Sequence, residues 1–80
     1  MTFDEQGQLI FAAASLAIRQ ALEDGRRQGY NGEWLEQTQN AHLNHAEDHL
    51  LEWRKTEEWS HLEHALTRLS MALALAKMQD

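Results

Sequence analysis

Three of the four glycines fall within the nine residues 24–32, and the chain contains no proline. Glycine readily adopts the left-handed conformations that end helices, and proline inside a helix would break it. An 80-residue chain punctuated so heavily at one place is constrained to long helices on either side of it. No strand-like alternation of apolar and polar residues occurs. The expected fold is therefore all-α: a small three-helix protein forming a single domain over 1–80, with helices near 4–24, 32–54 and 57–78. The Arg54-Lys55-Thr56 break between the last two is short, which predicts an antiparallel helix two–helix three hairpin.

Capping and periodicity refine this outline. Thr2 or Asp4 suits the start of helix one, and Glu5 suits the positive end of its dipole. Asn31 is the expected N-cap of helix two. Thr56, or Ser60 with Glu63 as a capping box, is the expected start of helix three. Helix one carries Leu9, Ile10, Ala13, Leu16, Ala17, Ala21 and Leu22. Helix two carries a core stripe of Leu35, Leu43, Ala46, Leu50 and Trp53, with His42 and His49 beside it and His45 farther round. Helix three should bury Leu62, Leu66, Leu69 and Leu73, while Met71, Leu75 and Met78 lie opposite. A helix apolar nearly all round must be covered on both sides. A chain this short has a marginal core, so the second cover is expected to be another subunit, making a homo-oligomer. Helix one seated in a groove is the other way to cover it.

Composition narrows the function classes. Thirteen acidic and seven basic residues give a formal net charge of −6. Such a surface does not suit a nucleic-acid polymer, which needs a basic face. The absence of cysteine excludes disulfides and thiolate metal sites. No stretch is apolar enough to span a membrane, and the N-terminus does not read as a signal peptide, so a cytoplasmic location is expected.

The chemistry concentrates in residues 42–64, HLNHAEDHLLEWRKTEEWSHLEH, which hold all five histidines and two of the three tryptophans. His45 and His49 are an i,i+4 pair and His61 and His64 an i,i+3 pair, so each pair shares a helical face. Such pairs can hold zinc when a third ligand converges. The run HAEDH lacks the glutamate of HEXXH, and ordinary hydrogen-bonded histidine competes with the metal reading. Imidazole also donates and accepts at once, aromatic rings stack on bases, and arginine grips phosphate at two points. The candidate ligand site is therefore the hairpin, lined by His45, His49, His61 and His64, with Trp59 and Arg68 as supports. His64, turned away from the core, is expected to reach the site only where a second subunit closes it. Arg26 and Arg27 could reach a phosphate across that boundary.

The segments Asp48-His49-Leu50 with Trp53, and His61-Leu62-Glu63-His64-Ala65-Leu66 with Leu69, resemble the helical hairpin of the phage dATP/dGTP diphosphohydrolase-like family. The resemblance covers residues 41–76, about half the chain. It implies a helical hairpin, a phage origin and a nucleotide ligand. The family's Gly-rich, Lys-Tyr-Gly-like upstream segment is absent, and Arg54-Lys55-Thr56-Glu57-Glu58 replaces its acidic loop. Hydrolysis of this kind needs carboxylates converging on magnesium. Asp48 and Glu52, one turn apart, are the best pair, but the carboxylates do not reproduce an ExxE plus ExxD arrangement.

The expected function is that of a small phage or prophage accessory protein. It would bind a nucleotide or nucleotide-derived signal without cleaving it, as anti-defence sequestering proteins do, in the host cytoplasm and with no resident cofactor. One alternative is a reduced metal-dependent pyrophosphohydrolase-like enzyme using magnesium or zinc. Another is an acidic helical interaction protein that blocks a host partner.

Overall fold

The computed structural model describes residues 1–79. Among them there are three α-helices, α1 (Phe3–Arg27), α2 (Gln39–Thr56) and α3 (Trp59–Met78), with a short 3-10 turn at Glu33–Leu35 and no strand. α3 is the shared element. α2 and α1 each pack against it, and no comparable contact joins α1 to α2.

α1 starts on a capping box: the Glu5 N–H donates to the Thr2 hydroxyl, and the Thr2 N–H reaches back to the Glu5 carboxylate. It ends where Gly29 turns left-handed at φ 97°. There the Tyr30 N–H reaches the Gly25 carbonyl and the Gly29 N–H the Arg26 carbonyl, each at 3.0 Å. This crossed pair satisfies carbonyls that the helix end would otherwise leave open.

The second helix departs from expectation. Asn31 does not cap it. The Asn31 N–H donates instead to the Glu33 carboxylate, left-handed Gly32 introduces the 3-10 turn, and the cap is Thr38, whose hydroxyl accepts from the Ala41 N–H at 3.0 Å. The physical reason is His42, which takes the Trp34 carbonyl and folds residues 33–37 back over the helix. α2 also runs two residues farther than expected, to Thr56, and Glu57 closes it in the left-handed conformation at φ 57°. Thr56 does serve the junction: its hydroxyl accepts from the Glu58 N–H at 3.2 Å. Ser60 lies inside α3 and forms no cap.

The core is smaller and less leucine-rich than the periodicity suggests. Ala21, Ala46, Ala65, Ala72 and Leu75 are its buried apolar residues, joined by His42 and Thr67. Alanines let helix axes approach closely, and the bulkier residues are pushed to the flanks. Leu43 and Leu50, expected in the core stripe of α2, remain 38% exposed, and Leu35 is exposed too. Trp53, Leu62 and Leu66 are half-buried. Leu69 and Leu73, expected inside, are 44% and 58% exposed, whereas Leu75 from the supposed opposite side is buried. Leu9, Ile10 and Leu16 of α1 also stay exposed. Among the described residues, no helix is long and apolar enough to cross a membrane.

Candidate functional site

The connection from α1 to α2 does more than link them. It caps a cleft of about 500 Å³ whose walls are the last turns of α1, residues 28–37, and the facing sides of α2 and α3. Arg68, His49, His61 and His64 project into this cleft, opposite Tyr30 and Trp34.

One wall is held by an ordered set of hydrogen bonds. His42, fully buried at 0% exposure, donates from Nε2 to the Trp34 carbonyl at 2.9 Å and accepts at Nδ1 from Arg68 Nη1 at 3.1 Å. A carbonyl can only accept and a guanidinium can only donate, so these partners select the neutral Nε2–H tautomer. The same Arg68 nitrogen donates to the Gln37 side-chain carbonyl at 2.7 Å. α2, α3 and the 33–37 segment are thereby locked together by one imidazole and one guanidinium.

Among the described residues, Arg68 has no anionic partner. Ion pairs there join Arg26–Glu23, Arg27–Asp24 and Lys55–Glu52, carboxylates lie beside His61 and His64, and none of these contacts includes Arg68. Burial pulls its affinity for the proton below the usual guanidinium range, with Tyr30 partly offsetting this. The group nevertheless stays charged. A half-buried cation facing a cleft without a counter-charge is costly unless something supplies one.

Three imidazoles cluster beside it, His64 stacked on His49 and His61 tilted against it. The His49 and His64 rings lie 5.1 Å apart and those of His49 and His61 5.5 Å apart. Nδ1 of His49 and Nδ1 of His61 are 3.3 Å apart, so one ring donates to the other. His64 Nε2 lies 3.5 Å from the Asp24 carboxylate of α1, and His61 Nε2 lies 3.9 Å from Glu58. Burial, then the charges of His64, His61, Arg68 and His45, push the His49 pKa below its usual 6.5. His49 is therefore neutral at neutral pH, and a negative ligand would reverse the balance that keeps it so.

The structure thus brings together four of the six residues singled out from sequence: His49, His61, His64 and Arg68. His64 enters the cleft of its own chain against Asp24 and needs no second subunit to get there, because α1 packs on that side of α3. Arg26 likewise lines the cleft from within the same chain. His45 lies on the exposed side of α2 and does not line the cleft. Trp59 is 73% exposed and rests against Trp53, ring centres 5.6 Å apart, outside the cleft. Asp48 and Glu52 are exposed, and Glu52 is engaged with Lys55 at 3.7 Å. Among the described residues, no group of three or more histidines and carboxylates is arranged to hold a metal ion. Sequence reasoning missed Tyr30, Trp34, Gln37 and the structural part of His42. The available signal was that His42 stands one heptad before His49, on the same face.

Comparison with family models, with curated proteins and with solved structures found no match.

Proposed function

We propose that the protein binds a small anionic ligand, a nucleotide or nucleotide-derived signal, in the cleft between α1 and the α2–α3 pair, and releases it unchanged. The observation that carries this reading is Arg68: a half-buried guanidinium lining a cleft of about 500 Å³ with no carboxylate against it, in a chain of net charge −6. Sites for small ligands span about 300–1,000 Å³, so the space suits a mononucleotide. Arg68 supplies the fixed charge, His49, His61 and His64 supply ring N–H donors, and Tyr30 and Trp34 offer faces for a heterocycle.

Sequestration fits better than hydrolysis. Asp48 and Glu52, the best magnesium pair in the sequence, stand outside the cleft. Although Glu33 lines it and Asp24 lies beside His64, no three carboxylates or histidines among the described residues converge as a metal site would require. In this reading α2 and α3 form an antiparallel hairpin, supported by the order of contacts from Trp53–Trp59 through His49–His61 to Gln39–Gln79. The working unit is a homo-oligomer, a phage-type accessory protein acting in the host cytoplasm.

Calorimetric titration with nucleoside mono-, di- and triphosphates, and with inorganic phosphate, tests the proposal. Micromolar binding of at least one nucleotide, weakened about tenfold or more in Arg68→Gln, is expected. Arg68→Lys, which keeps the positive charge, should retain more of the affinity than Arg68→Gln, and that difference separates loss of charge from loss of the Arg68 hydrogen bonds. Absence of binding across the series, or steady phosphate release with magnesium, would overturn it.

A further inference from the structure

The homo-oligomer of the preceding section leaves open which surface the copies share. α3 has three apolar faces and the chain covers two. His61, Ala65, Arg68, Ala72 and Leu75 recur at intervals of four and three and face α2, while His64, Thr67, Met71 and Ala74 lie on the α1 side. The third face is Trp59, Leu62, Leu66, Leu69, Leu73 and Ala76, spaced 3, 4, 3, 4, 3. That interval is the seam of a helix that packs lengthwise on another helix. Leu62 and Leu66 are half-buried, and Trp59, Leu69 and Leu73 are exposed.

Nothing charged interrupts this seam. Glu63 and Arg68 fall off it at about 100° per residue, and Lys77 lies beyond its last residue. A solvated helix face normally carries charge, whereas depletion of charge marks the centre of an interface. The exposed apolar residues of α1 make a poorer candidate. Phe3 and Ile10 continue the stripe that Ala21 already buries, Leu9 and Leu16 stand on another side and Phe11 and Leu22 on a third, so no single stripe collects them.

The area of the molecule asks for a partner of about this kind. A folded monomer of 9.3 kDa exposes about 5,000 Å², and this chain exposes 6301 Å². The excess of about 1,300 Å² is more than the roughly 800 Å² per partner of a standard interface and falls in the range of permanent homodimers. Its radius of gyration, 13.6 Å, likewise exceeds the roughly 12 Å of a compact chain of this length.

We infer that a second copy of this chain covers the third face of α3, so that the two α3 helices pack seam to seam across a two-fold axis. A two-fold axis brings the same patch against itself, and a self-complementary leucine seam fits that arrangement. The seam lies on the side of α3 turned away from α1, so both clefts stay open and neither borrows a residue from the other chain. The inference rests on the homo-oligomer reading and is independent of what the cleft holds.

Sedimentation equilibrium at micromolar concentration tests it. The wild-type chain is expected at twice 9.3 kDa. Leu69→Glu/Leu73→Glu is expected at the mass of one chain with its helical circular dichroism kept, and Leu16→Glu is expected at twice that mass. A single-chain mass for wild type would remove the oligomer itself. A dimer that survives the double substitution, or is lost in Leu16→Glu alone, would overturn the choice of face while leaving the oligomer. Should the double variant unfold, a single thiol decides the matter, since the chain has no cysteine. Leu69→Cys should cross-link two chains through a short bismaleimide and Leu16→Cys should not; the reverse pattern would overturn the inference.

Discussion

Arg68 donates to Nδ1 of His42 across 3.1 Å, and that bond makes one residue serve both the core and the cleft. The His42 ring completes its hydrogen bonding on the Trp34 carbonyl. Among the described residues, no buried side-chain nitrogen or oxygen is left without a partner. Removing the imidazole leaves a cavity and two groups unsatisfied. His42→Ala should therefore lower stability by about 3 kcal/mol and loosen residues 33–37. Urea unfolding measures the first effect. Amide exchange at Trp34–Gln37 measures the second, and unchanged protection there would contradict the locking role.

Anion binding should strengthen as the pH falls from 8 to 6. Burial holds the His49 pKa below 6.5 in the free chain, and an anion beside it raises its proton affinity, so binding takes up protons. Asp24 and Glu58 face His64 and His61 and compete with the anion for those rings. The expected gain is up to about tenfold per pH unit for each proton taken up. Titrations in buffers of different ionisation enthalpy would count those protons. Weaker binding at pH 6 would point to a ligand held by neutral imidazole instead.

Without ligand, stability should move the other way. His49 in the folded chain has its pKa pushed below the 6.5 of the unfolded chain, chiefly by burial. Between those two values the unfolded chain holds more protons, so stability rises with pH there. The penalty is absent well above 6.5 and grows as the pH drops through it. The thermal midpoint should fall more between pH 7.5 and 5.5 in wild type than in His49→Gln, and parallel slopes would contradict this assignment.

Glu57 closes α2 at φ 57°. A residue with a β-carbon pays a conformational cost in that region that glycine does not. Nothing in the hydrogen-bond pattern depends on its side chain, and its backbone N–H on the Trp53 carbonyl at 2.7 Å would survive substitution. Glu57→Gly should raise stability by about 0.5–1 kcal/mol. Thermal unfolding checks this, and a fall in the midpoint would mean that the extra freedom of the unfolded chain outweighs the relief.

The number and order of the helices were legible because glycine placement and the lack of proline leave few alternatives. The cap of α1 was legible as either Thr2 or Asp4, and the structure selects Thr2, which pairs reciprocally with Glu5. The start of α2 was not. Asn31 is a good cap by type, but a carbonyl eight residues ahead of His42 captured that ring and delayed the helix to Thr38. Core membership failed for a related reason. Periodicity ranks Leu69 and Leu73 above Ala65 and Ala72, whereas close approach of two axes rewards the smaller side chain. For the candidate site, two histidine pairs at helical spacing led to His49, His61 and His64. Tyr30 and Trp34 reach the cleft from a segment without periodicity, so only the fold could bring them there.

α1 reaches the cleft from one side: its last turns supply Gly25 and Arg26, and its Asp24 carboxylate lies 3.5 Å from His64 of α3. A ligand that touched both Arg26 and Arg68 would bridge α1 to α3, so its binding free energy would add to the packing of those two helices and protect them together against unfolding.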